Sequence, residues 1–283
     1  MFNPFSLNIR GRLVEYDRPA VMGIINVTPD SFYAGSRTRA DEIGHRVRTM
    51  IADGADMIDI GAYSSRPGAA PVSETEELDR LAEGMTALRE AAPDVIVSVD
   101  TFRAGVAKAA IEQLGADIIN DISGGDLDRD MFDTVASLNV PYILMHMRGT
   151  PADMQTHTDY PDGVTAAVLK DLSAKMRRLR LLGVNDVIVD PGFGFAKTLE
   201  QNYRLMADLP LFGRLLDAPL LVGISRKSMI TRALGVGAQD ALNGTTVLNT
   251  IALLNGAQIL RVHDVKACSE AVKIVSLMPT DSI

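Results

Sequence analysis

Eight times along this chain a short apolar run stops at a polar residue, and helix-length amphipathic sequence separates most of the runs. The first run, 21–25, ends at Asn26 and opens into Val27-Thr28-Pro29-Asp30-Ser31-Phe32; the others cover 57–61, 95–100, 118–121, 142–146, 187–190, 220–225 and 259–264. Strands that alternate with helices pair in parallel, because only a crossover of helix length returns the chain to the same end of the sheet. Eight such units predict a (β/α)8 TIM barrel, in which all strand C-termini ring one mouth. The polar endings are therefore the candidate active site.

A chain of 283 residues, 47% hydrophobic and 23% charged, fits one barrel domain over 1–283 with a core large enough to fold unaided. Cys268 has no partner for a disulfide, which suits a reducing compartment. Charges at Arg10, Arg12, Glu15, Asp17 and Arg18 interrupt the first eighteen residues, so neither a signal peptide nor a membrane span is expected, and a cytoplasmic location follows. The net charge of −8 lies in short mixed runs, against a nucleic-acid partner. The densest basic cluster, 175–180, reads as a solvated helix face.

Alternation around Arg10-Gly11-Arg12 predicts a β-hairpin within residues 1–18 that covers the barrel bottom, with the barrel spanning 19–277. Helices are expected over 38–50, 74–91, 103–114, 129–138, 163–182, 199–208, 243–255 and 265–277, with another starting near Ser228. Ser73 and Glu76 have capping-box spacing, and Asp41 suits a first turn after Thr38. Gly54, Gly115, Gly183 and Gly256 are expected as left-handed helix stops. The long segments 28–37 and 62–73 are expected to act as lids over the mouth.

Asp100, Asn120 and Asp190 end three different strands, so a barrel aims them at one mouth. A buried carboxylate needs donors; a ligand rich in N–H groups would supply them, and so would backbone amides at the same strand ends. Lys227, in Gly223-Ile224-Ser225-Arg226-Lys227-Ser228, follows the seventh strand, and Arg261 and His263 alternate on the eighth. Those loops form the usual phosphate grip of barrels. His263 reads either as an anion ligand or as a structural hydrogen-bonder. The four histidines lack zinc spacing, whereas Mg2+ needs one or two protein oxygens such as that of Asn26. No Gly-x-Ser-x-Gly motif supports a nucleophile.

The motifs Asn-Val-Thr-Pro-Asp-Ser-Phe (26–32), Ser-Arg-Pro-Gly (65–68), Ser-Val-Asp-Thr (98–101), Ile-Asn-Asp-Ile (119–122), Met-His-Met-Arg-Gly-Thr-Pro (145–151), Asp-Pro-Gly-Phe-Gly-Phe (190–195), Gly-Ile-Ser-Arg-Lys-Ser (223–228) and Arg-Val-His-Asp-Val (261–265) occur in order. In these the chain resembles the dihydropteroate synthase family of folate biosynthesis. The resemblance implies displacement of pyrophosphate from 6-hydroxymethyl-7,8-dihydropterin diphosphate by the amine of p-aminobenzoate, through a dissociative step under loops that close. It implies that Asp100, Asn120, Asp190 and Lys227 hold the pterin, with Met145 lining its slot and Ile122 in the substrate-binding set. Arg261 and His263 would hold the diphosphate, and Asn26 would meet Mg2+. Ser65, Arg66 and Ser228 would shape the p-aminobenzoate side, with Phe195 as an apolar wall. It also implies a homodimer formed near the C-terminal third.

Relatives commonly carry Ser-Asp-Gly-Gly where this chain has Tyr33-Ala34-Gly35-Ser36, and Gly-Glu-Ser-Thr-Arg where it has Ala62-Tyr63-Ser64-Ser65-Arg66. Ala196 stands where Gly is frequent. Activity with altered loop dynamics is the expectation. A methyl-transferring pterin barrel would share the Asp and Asn positions but need no diphosphate grip, and a lapsed binding relative would be marked by a missing strand-end charge. The cations at Lys227 and Arg261 and the intact strand-end charges favour the synthase.

Overall fold

The computed structural model describes residues 2–28, 36–63 and 72–278, the side chains of 36–39 excepted. Strands β1 (Phe5–Ile9) and β2 (Arg12–Tyr16) pair antiparallel as the expected hairpin. Its two-residue turn has Arg10 at φ +53° and Gly11 at φ +74°, the left-handed pair that matches hairpin twist. Leu7, Ile9 and Tyr16 are buried against the lower barrel interior. Arg10 Nε donates to the buried Asp117 at 2.6 Å, and Asp117 also accepts from Arg89 and from the Val97 amide. The hairpin is thereby locked onto the floor by both packing and charge.

The barrel follows as β3 (Ala20–Asn26), α1 (Ser36–Ala52), β4 (Met57–Gly61), α2 (Glu74–Ala91), β5 (Ile96–Asp100), α3 (Ala104–Glu112), β6 (Ile118–Asp121), α4 (Met131–Leu138) and β7 (Tyr142–Met145). It continues with α5 (Val164–Leu181), β8 (Val187–Asp190), α6 (Leu199–Ala207), α7 (Leu209–Leu215), β9 (Leu221–Val222), α8 (Ser228–Leu234), α9 (Leu242–Leu254), β10 (Ile259–Val262) and α10 (Val265–Ser276). All pairings from β3 to β10 are parallel, in the order β8-β7-β6-β5-β4-β3-β10-β9. A bridge between Val189 and Leu220, with Val189 N donating to Pro219 O at 2.9 Å, joins β8 to β9 and closes the ring.

Strand parity sorts the side chains. One set, including Ile58, Ile60, Val97, Val99, Ile119 and Leu144, packs outward against the helices. The other set points inward, and its lowest layer, Met22, Met57, Ile118, Ile143, Ile188, Leu221 and Ile259, meets the hairpin.

Several local expectations are corrected. β7 ends before His146, β9 spans two residues and β10 ends before His263; Pro219, two residues before β9, offers no N–H to lengthen the ladder. α1 begins at Ser36 with no acid in its first turn, so Asp41 stands in the second. Ser73 caps α2 by accepting from Glu76 N at 3.2 Å, but the Glu76 carboxylate turns to Arg80 and the reciprocal bond is not made. The reciprocated capping box is Thr198 with Gln201, which opens α6. α7 was not foreseen, because Pro210 in its first turn reads as a helix end although proline is tolerated there. The glycine stops hold: Gly54, Gly115, Gly183 and Gly256 all have positive φ.

Candidate active site

One layer above the apolar floor the inward positions turn polar. Ladder register places Asp59 beside Ile24 on one side and Ser98 on the other, Asp100 beside Asn120, and Met145 beside Asp190. Arg261 rises from β10 into the middle of this ring. Its Nε donates to Asp59 Oδ2 at 2.7 Å and its Nη2 to Asp100 Oδ2 at 2.9 Å. Asn120 Nδ2 approaches both Asp59 oxygens at 3.2 and 3.3 Å. The side chain of Asp59 is wholly buried, and an unpaired carboxylate at that depth would cost several kcal/mol. Arg261 and Asn120 are its compensation.

Asp59 is not among the polar residues that end the apolar runs. It sits in the middle of Met57-Ile58-Asp59-Ile60-Gly61, and the signal was its inward parity with Met57. A carboxylate buried inside a barrel must be met by a cation or by hydrogen-bond donors.

Asp100 feels two opposed influences. Burial pushes its pKa up to about 7 while Arg261 pulls it down. Its side chain keeps 21% of its surface exposed, so an arriving ligand can still reach it. Asp190 is likewise raised by burial, against the pull of Lys227 and of the Gly192 amide that donates to its Oδ1 at 2.8 Å. Backbone satisfaction therefore accounts for part of Asp190, whereas Asp100 relies on Arg261.

Lys227 Nζ donates to Phe193 O at 2.6 Å and lies 4.6 Å from the centre of the Phe195 ring. Burial lowers its pKa to about 8, with Asp190 opposing. The inward direction of Lys227 follows from its neighbour. Arg226 adopts φ +55° and turns away, gripping Asp264 with two bonds of 2.8 Å and the carbonyls of Ala238 and Gln239 at 2.7 and 2.8 Å. Ser228 follows as the exposed first residue of α8.

His263 lies just past β10, with its amide and its Nδ1 3.2 and 3.0 Å from Ser225 Oγ. Burial first, then Arg261 and Arg46, lower its pKa to about 4, so the ring is neutral at pH 7. Arg261 was expected to hold an anion; in the structure its Nε and Nη2 serve Asp59 and Asp100, leaving Nη1 without a partner among the described residues.

Ile122, Met145 and Phe195 do come together, in an apolar cluster with Met147, Met154 and Ala196 beside the polar ring. Asn26 ends β3 half-buried. Ser65 and Arg66, with Ala34 and the central parts of both expected lids, 29–35 and 64–71, lie outside the described residues. Among the described residues no group of three or more His, Cys, Asp or Glu could cage a metal, and no helix is long and apolar enough to cross a membrane.

The ring combines acceptors for N–H groups, cations for an anion and an apolar wall, which is a site for a polar heterocycle carrying a leaving group. A family model described as "Pterin binding enzyme" matches residues 22–263. A dihydropteroate synthase of Synechocystis sp. is 43% identical over 92% of this chain and 90% of its own length. A mitochondrial bifunctional folate synthesis protein of Arabidopsis thaliana is 41% identical over 91% of this chain, which spans 49% of that longer protein. The structure of Xanthomonas albilineans dihydropteroate synthase with 4-aminobenzoic acid superposes with a TM-score of 0.88, at 36% identity over 97% of this chain and 99% of that one. The chain belongs to the dihydropteroate synthase family of pterin-binding enzymes.

Proposed function

We propose that this protein condenses 6-hydroxymethyl-7,8-dihydropterin diphosphate with p-aminobenzoate, giving 7,8-dihydropteroate and pyrophosphate. The observation that carries the reading is the ring of Asp59, Asp100, Asn120, Asp190, Lys227 and Arg261 at one mouth of a barrel of this family. Asp100 and Asp190 accept the ring N–H groups of the pterin. Asn120 and Lys227 complete its polar edge, and Ile122 and Met145 line the slot.

The carbon–oxygen bond to the diphosphate breaks with its electron pair leaving on oxygen, and the electron-rich pterin stabilises the carbon left behind. The arylamine nitrogen supplies the new bond and then loses one proton to solvent. Fixed donors aimed at the departing charge lower that barrier without a protein nucleophile. Arg261 Nη1 and His263 are donors that the described residues offer. His263 would gain a proton more readily beside an anion than in the free protein, because the anion opposes the burial that lowers its pKa. Phe195 and Ser228 flank the arylamine, and the family resemblance assigns Ser65 and Arg66 to the same substrate.

Mg2+ fits this donor set in one way. The side chain of Asn26 makes no hydrogen bond among the described residues, so its amide oxygen is open to a cation that keeps most of its waters. When bound, Mg2+ would neutralise charge on the diphosphate.

A homodimer is supported by exposed apolar side chains on the last helices, Val247, Ile251 and Leu254 of α9 and Ile274 of α10; sedimentation at micromolar concentration tests it. The absence of a membrane-crossing helix among the described residues is compatible with a cytoplasmic location.

Pyrophosphate release by the purified protein with Mg2+ and both substrates tests the activity. Release should require p-aminobenzoate and fall at least about 100-fold in Asp190→Asn and in Lys227→Ala. Tight pterin binding without release would reassign the protein as a pterin-binding relative.

A further inference from the structure

In the turn between β8 and α6 lies a second buried lysine that the chemistry does not use. Lys197 is 4% exposed. Its Nζ donates to Gly192 O at 2.8 Å and to Phe195 O at 2.9 Å, and lies 3.1 Å from His146 Nδ1. When protonated, Lys197 thus meets three acceptors with three N–H donors, the full complement of an ammonium, while burial lowers its pKa to about 7 against the pull of Asp190. His146 is kept neutral, its pKa lowered to about 2 by burial with Lys197 adding to the effect, so its Nδ1 is free to accept.

The acceptors identify what this group does. Residues 191–197 form a turn between β8 and α6 that no sheet or helix ladder holds. Gly192, Gly194 and Ala196 have φ of +72°, +83° and +50°. Side chains gather most of its backbone: Asn202 accepts from Gly194 N at 2.7 Å, Gln155 donates to Gly194 O at 3.0 Å and Tyr160 donates to Ala196 O at 2.9 Å. Lys197 takes the two carbonyls that flank the tip. The opposite side of the same turn presents Phe193 O and the Phe195 ring to Lys227. Packing alone does not call for a cation here, since a methionine would fill the same volume without the cost of a buried charge.

We propose that Lys197 is a positioning residue of the active site. By drawing the carbonyls of Gly192 and Phe195 inward, its amino group fixes the turn that places Phe195 against the arylamine. The inference rests on the synthase reading above for the identity of the arylamine.

The test compares Lys197→Met, which keeps length and loses every donor, with Lys197→Gln, whose amide can still reach both carbonyls. Lys197→Met should raise the KM for p-aminobenzoate about tenfold while kcat and dihydropterin diphosphate affinity stay within about threefold, and Lys197→Gln should restore that KM to within about threefold of the native value. A role in stability alone would lower Tm in both variants and move neither KM, and that result, or an equal KM loss in both, overturns the proposal. A crystal structure of Lys197→Met gives a readout independent of turnover. The Phe195 ring should leave its native place 4.6 Å from Lys227 Nζ, and an unmoved ring overturns the proposal. Native protein without p-aminobenzoate-dependent release would fail the synthase reading, while the ring position would still decide the role of Lys197. If Lys197→Met does not fold, His146→Leu takes one acceptor from the ammonium and should raise the same KM about threefold; no rise overturns the proposal.

Discussion

The floor and the mouth of this barrel are built from the same strands, a few residues apart, on opposite principles. Met57, Ile118, Ile188 and Ile259 fill the floor with wholly buried apolar side chains sealed by the hairpin. Two residues further along those same strands stand Asp59, Asn120, Asp190 and Arg261. The floor gains free energy from burial at roughly 25 cal/mol per Å2 of apolar surface. The mouth instead holds carboxylates whose pKa values burial has raised and keeps them ready for a ligand. Stability is concentrated at one end of each strand and chemistry at the other.

Arg261→Met should break this division most sharply, because at the mouth Arg261 neutralises the buried Asp59 and also reaches Asp100. It leaves Asp59 buried without its cation, so about 3–5 kcal/mol of stability should be lost along with turnover; denaturant unfolding beside a release assay checks it. A loss confined to turnover would show that Asn120 alone satisfies Asp59. Ile188→Ala, on the floor, should cost about 2–5 kcal/mol and leave kcat per folded molecule unchanged, as measured by urea titration and active-site counting.

A pH profile sharpens the mouth's side. Asp100 must be ionised to accept N–H groups, and in the free protein its pKa is raised to about 7. The kcat/KM for dihydropterin diphosphate should therefore fall about tenfold per unit as pH drops below that value. An acid limb at pH 5 or lower would mean that pairing with Arg261 outweighs burial. The same raised pKa fixes the sign for stability. The contribution of Asp100 is fully present below its ordinary value and lost as pH rises through about 7, so Asp100→Asn should keep or raise Tm at pH 8 while turnover is lost. The smallest expected effect is at Ala196, whose φ of +50° is strained for a residue with a Cβ. Ala196→Gly should gain no more than about 1 kcal/mol and leave both KM values within about twofold; a raised KM would mean that the strain itself aims Phe195.

Much of this site was legible before the structure. Asp100, Asn120 and Asp190 declare themselves because a polar residue closing an apolar strand has one direction to point. Asp59 did not, since one carboxylate inside an apolar run reads as an interruption until the strand's parity is known. Arg261 reads in the sequence as an anion ligand, and the structure adds that two of its nitrogens serve Asp59 and Asp100. The sequence separation of 202 between Arg261 and Asp59 gives no hint of the pair. Lys197 and His146, 51 residues apart, were hidden for the same reason.

What the sequence determined by itself is the set of periodic, locally encoded features: the alternation of strand and helix, the hairpin turn at Arg10-Gly11, the glycine stops and the motifs that mark the family. Each depends on side chains within a few residues of one another, where propensity and backbone geometry act directly. What only the tertiary structure decided is which charges neutralise which. Closing the ring brings Asp59, Asp100 and Arg261 from three strands to hydrogen-bonding distance, and the strength and sign of such contacts depend on burial and separation, quantities that do not exist until the barrel has closed.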